Sequence, residues 1–209
     1  IESFGWLATL GWALTVASWE MCDDQIAKCA EARFEHNDYY WEECTTATVV
    51  EPCDPNEIVG PPGFSDDRFI LAVDSMPYII YFENDSAFAT AAAQRVTVRQ
   101  KVHSNMNLFS FKLQEFGFSN MTFQIPNGVP NYSTTLDLTD TLGVDVQVTA
   151  GIDIVNREFF WILQAIDKNT GVPPLDPFAG FLAINDSIGS GEGFVKYTVE
   201  PMAGLITGD

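Results

Sequence analysis

The chain has 209 residues, enough for one large domain or a domain with an appendage. A hydrophobic content of 46% can fill a core, which excludes wholesale disorder. Ten Lys and Arg against 29 Asp and Glu give a formal charge of −19, which repels phosphate backbones and anionic membrane surfaces and excludes nucleic acid as an expected partner.

In chain order, the first feature is the uncharged run Phe4 to Trp19, whose apolar side chains include Phe4, Trp6, Leu7, Leu10, Trp12, Leu14, Val16 and Trp19. Its sixteen residues fall short of the roughly 20 that span a bilayer, so no membrane span is expected. Burial against protein is expected instead, as a helix or as a donated strand. Trp19, Cys22, Ile26, Cys29 and Arg33 then recur at three- and four-residue steps, the pattern of an amphipathic helix over 19–34. A second short helical or turn segment is expected over 38–44.

All four Cys, at 22, 29, 44 and 53, lie in the first quarter of the chain. An even, clustered set reads as two disulfides of an oxidising compartment, while zinc is disfavoured because no CxxC pair occurs. Seven helical residues separate Cys22 from Cys29 by about 10.5 Å along the axis. Disulfide Cα atoms lie within roughly 7 Å. Each Cys therefore has to reach Cys44 or Cys53, and an antiparallel return favours Cys22–Cys53 with Cys29–Cys44. Four Asn-x-Ser/Thr sequons, at Asn84, Asn120, Asn131 and Asn185, agree with secretion and mark expected glycans at turns or strand ends.

At Asp54 the composition changes, dividing a Cys-rich, partly helical segment (1–53) from a second domain (54–209). Pro55, Gly60, Pro61, Pro62 and Gly63 form a turn-rich opening through which no helix continues. Strand-like runs follow near 68–73, 77–83, 94–102, 107–113, 120–125, 133–139, 143–152, 157–166 and 193–200. Val96, Val98, Gln100 and Val102 alternate with period two, as a half-buried antiparallel strand requires. About nine short strands punctuated by Gly, Pro, Asn and Asp predict a mainly β protein, a β-sandwich, with a long loop over 168–191 across one end.

The blocks CDPNEIVGPPGF, PYIIYFENDSAFATAAAQRVTV, LDLTDTLGVDVQVTAGIDIVNREFFWILQAID and GEGFVKYTVEP carry a family likeness. Over roughly residues 53–209 the chain resembles an uncharacterised Ig-like β-sandwich domain of very long secreted, mostly bacterial, surface or adhesive proteins. The resemblance implies an adhesive or structural module and brings no catalytic residue or cofactor. Similar domains continue past the Thr207-Gly208 position with a further strand, so the sandwich is expected to lack a strand if the protein ends at Asp209.

The chemistry points the same way. There is no GxSxG, no HExxH, and only His36 and His103 as side-chain bases, so no enzyme and no catalytic residue are expected. With 29 acids, a glycosidase-like carboxylate pair carries no weight. Calcium is the one metal the sequence suits, through Asp54, Asn56, Asp66 and Asp67, with an Asp-x-Asn-x-Gly turn at 167–171. For Asp54 and Asn56, side-chain-to-backbone turns around Pro55 are the favoured reading over calcium. Of the consecutive Phe159, Phe160 and Trp161, at least one has to face away from the core. The expected function is an extracellular structural protein whose partners are copies of itself in a fibre or layer. The alternative is a carbohydrate-binding or adhesin module.

Overall fold

The computed structural model describes residues 57–63, 70 and 75–205. The Cys-rich segment, its expected helices, the apolar run, the four Cys and the calcium candidates Asp54, Asn56, Asp66 and Asp67 lie outside the described residues, as does the run at 68–73 apart from Ile70.

Two antiparallel sheets make up the described chain, with almost no helix. Nine strands are described: β1 (Glu57–Val59), β2 (Met76–Glu83), β3 (Arg95–Lys101), β4 (Met106–Phe118), β5 (Met121–Gln124), β6 (Tyr132–Leu136), β7 (Asp145–Asp153), β8 (Glu158–Ile166) and β9 (Glu192–Pro201). The first sheet runs β1-β2-β9-β4-β5 and the second β3-β8-β7-β6. One helical turn, α1 (Thr139–Leu142), precedes β7 and ends at Gly143, whose φ of 77° is a left-handed conformation that glycine adopts at little cost.

Alternation builds the core. In β2 the side chains of Met76, Tyr78, Ile80 and Phe82 point inward while Pro77, Ile79 and Tyr81 point outward. The same period places Val195, Tyr197 and Val199 of β9 and Phe159, Trp161, Leu163 and Ala165 of β8 inside. The two sheets meet through aromatic rings. Phe111 of β4 stacks on Phe159 of β8 at 3.8 Å between centroids, and Tyr197 lies 5.5 Å from Trp161. Burial of this kind contributes about 25 cal/mol per Å² of apolar surface removed from water. It also pushes the Tyr78 phenol up to about 12 and the Tyr197 phenol higher still, the latter with the Tyr78 charge as a second cause.

Strand β4 breaks the simple alternation. Its pairing with β9 shifts between Asn107 and Lys112 and again between Leu113 and Phe116, and Phe109 stands out into solvent at the first irregularity. The loop after β8 returns to the sandwich, where Phe181 and Leu182 enter the core and Leu182 bridges to Ala93.

Candidate functional site

Asn84, immediately after β2, is the polar centre of the loop end. It continues the inward row Tyr78, Ile80, Phe82 and is 1% exposed. Its Nδ2 donates to the carbonyls of Ala91, Leu182 and Ala183 at 2.9, 3.1 and 3.2 Å. Its main chain donates to Gly191 O and accepts from Asn185 N. One side chain thus ties the β2–β3 connection to the long β8–β9 loop. A glycan would have to occupy this same Nδ2, so the expected glycan at Asn84 does not fit the fold.

The other sequons differ from one another. Asn120 is exposed in the β4–β5 turn, where Ser119 and Asn120 both have positive φ. Asn131 is exposed at the start of β6, with its carboxamide against the Cα of Gly151. Asn185 donates Nδ2 to Glu83 at 2.7 Å and accepts through Oδ1 from the Asp186 and Gly191 N–H groups.

The outer face of the second sheet carries the half-buried ring of Phe160. Phe159 and Trp161 point inward, and Phe160 lies on the outer face beside Gly151, a position where a side chain would collide with Asn131. Around it the register places Arg99 on β3, with Thr97, Ile162, Thr149 and Ser133 in the next row. On the first sheet, Phe194 fills the space over Gly117 in the same manner, with Tyr81 at 6.5 Å between centroids.

Charged groups are largely committed to structure. Glu158 bridges Arg99 and Lys101, and the Arg99 hydrogen bond is the main cause holding its carboxyl below the usual range. Glu115 is held down first by Lys196 and then by Gln124. The main-chain N–H of Ser190 and Ile188 lower Asp186, and that of Asn156 lowers Asp153. Asp167 accepts from the N–H groups of Asn169 and Thr170, so the Asp-x-Asn-x-Gly stretch is an Asx turn that uses its own carboxylate. Among the described residues, no group of three or more His, Cys, Asp and Glu is placed to hold a metal ion. His103 is exposed and accepts from Asn105 N through Nδ1.

Two features were not foreseen from the sequence. Gln100 is 4% exposed with Oε1 unpartnered, and Trp161 Nε1 is likewise buried without a partner. Strand β3 pairs with β8 alone among the described residues, leaving its other edge open from Arg95 to Lys101, beyond the bridge of Ala93 to Leu182. No helix among the described residues is long and apolar enough to cross a membrane. No protein-family model, curated protein or solved structure matches the chain.

Proposed function

We propose that the protein is a secreted structural protein, the subunit of an extracellular fibre or surface layer. Its Ig-like sandwich is the body of the subunit, and the apolar segment Phe4–Trp19 packs on the sandwich of a neighbouring copy. The observation that supports this is the continuous core of the sandwich beside an apolar segment with no charge of its own. A continuous core from Met76 to Val199 runs through both sheets, with Trp161, Phe111, Phe116 and Phe118 at 1% exposure or less. The sixteen uncharged residues of Phe4–Trp19 need a surface to cover, because an apolar patch of that size exposed on a monomer promotes association. Head-to-tail contacts of this kind do not close on themselves and give filaments. Deleting residues 1–18 tests the proposal. Sedimentation velocity should show a folded monomer in place of large assemblies, and persistent polymerisation would refute it.

The Phe160 side chain over Gly151, ringed by Thr149, Ser133 and Thr97, favours a second reading, an adhesin or carbohydrate-binding module in which a sugar ring stacks on Phe160. Phe160→Ala should then abolish retention on the cognate polysaccharide without altering the assembly state.

A further inference from the structure

We infer that the open edge of β3 is the acceptor for the assembly proposed above, on which this assignment depends, and that its occupant is the Phe4–Trp19 segment of a second copy, added as a strand. Four sheet edges are available among the described residues. β1, β5 and β6 are three, four and five residues long, whereas β3 runs for seven without a bulge. The direction of its peptide groups follows from two bonds. Ala165 N donates to Gln94 O at 2.7 Å and Val102 N donates to Arg157 O at 2.9 Å. Even-numbered residues between them therefore face β8, and the peptide groups of Arg95, Thr97, Arg99 and Lys101 face the open side. An unpaired row of this kind is a template for an extended chain. Seven residues need about 23 Å at 3.3 Å per residue, well within the reach of the sixteen-residue run.

Electrostatics select the occupant. Arg95, Arg99 and Lys101, the last two sharing the single carboxylate of Glu158, leave β3 net cationic in a chain of charge −19. Two β3 edges therefore repel each other, and edge-to-edge pairing of identical strands is disfavoured. The apolar segment is flanked by Glu2 and Glu20, and residues 1–56 hold eleven carboxylates against two cations, so the donor is acidic where the acceptor is basic. Beneath the edge, half-buried Val96, buried Val98 and Gln100 form an inward row whose last member has an unpartnered Oε1. A donated strand extends this row with the side chains that alternation puts on one face of it, Trp6, Leu10, Trp12, Leu14 and Val16.

The test separates donor from acceptor in the full-length chain. Thr97→Pro removes an outward N–H and leaves the β8 ladder intact, as edge strands permit. It kills the acceptor and spares the donor, whereas deletion of residues 1–18 does the reverse. Each variant alone should sediment as a monomer, and an equimolar mixture should give a 1:1 dimer and nothing larger. Amide exchange at Thr97 and Arg99 should slow at least tenfold in assembled wild-type protein relative to the deletion. Arg95→Glu, which leaves every N–H in place, should weaken assembly at least tenfold and covers the case in which Thr97→Pro does not fold. If folded Thr97→Pro still polymerises, β3 is not the acceptor while the assembly reading stands. A deletion that still polymerises defeats both. A mixture that stays monomeric means that the edge is filled within one chain, by its own segment or by residues 68–73, and overturns the exchange between copies.

Discussion

Replacing Asn84 with Ala should be the most damaging polar substitution on the surface-loop side of the sandwich. The carboxamide supplies two N–H bonds shared among the carbonyls of Ala91, Leu182 and Ala183, and Asn84 itself is 1% exposed. Each lost bond costs about 1 kcal/mol net, and a buried carbonyl left without a donor costs about 1–3 kcal/mol. The total is about 3 kcal/mol, partly relieved if water enters the space. In a domain of this size 1 kcal/mol moves the midpoint by about 2–4 °C, so Tm should fall by about 6–12 °C. Differential scanning calorimetry of the full chain measures this, with Ser86→Ala as control. That variant removes the same sequon without touching the carboxamide and should leave Tm unchanged. A loss below about 1 kcal/mol for Asn84→Ala, or a glycan found on Asn84, would refute the assignment of this residue as the tie between the two loops.

In a glycosylating secretory host, intact mass and peptide mapping should find glycans on Asn120 and Asn131 and none on Asn84; a bare Asn120 would remove the secretory reading's best site. Glu158→Gln should cost about 1 kcal/mol or less, because Arg99 and Lys101 are themselves more than half exposed and water screens the pair. Glu158 titrates lower folded than unfolded, so its contribution is full above the unfolded value near pH 4.5 and is lost as pH falls through the lowered one. Denaturation midpoints of wild type and Glu158→Gln should therefore converge below that pH. Gly117→Val should destabilise by about 1–3 kcal/mol, read by urea denaturation, because the new Cβ meets the Phe194 ring and the Met121 carbonyl.

Most strands were legible in the sequence because their apolar residues alternate, as in β2, β7 and β9. β1 was hidden, since its three residues sit beside Pro61 and Pro62 and read as part of a turn-rich opening. β4 continues to Phe118, five residues past its expected end, because two register shifts reset which side chains face inward. α1 fell between the expected strands 133–139 and 143–152, sharing only Thr139 with the first, and Gly143 was the one sign of a helix stop. Asn84 shows a signal present and overlooked. Counting by two from Met76 through Phe82 places it inside, yet its sequon suggested a surface. The open edge of β3 depends on which strands neighbour one another, and alternation within a strand carries no such information. Gln100 had the right period, but its unpartnered oxygen follows from packing alone.

Electron microscopy of the 209-residue chain, beside the chain lacking residues 1–18, tests the central claim most directly. The account predicts filaments or an ordered layer for the full chain and separate compact particles for the deletion. Separate particles for the full chain at every concentration examined would contradict it.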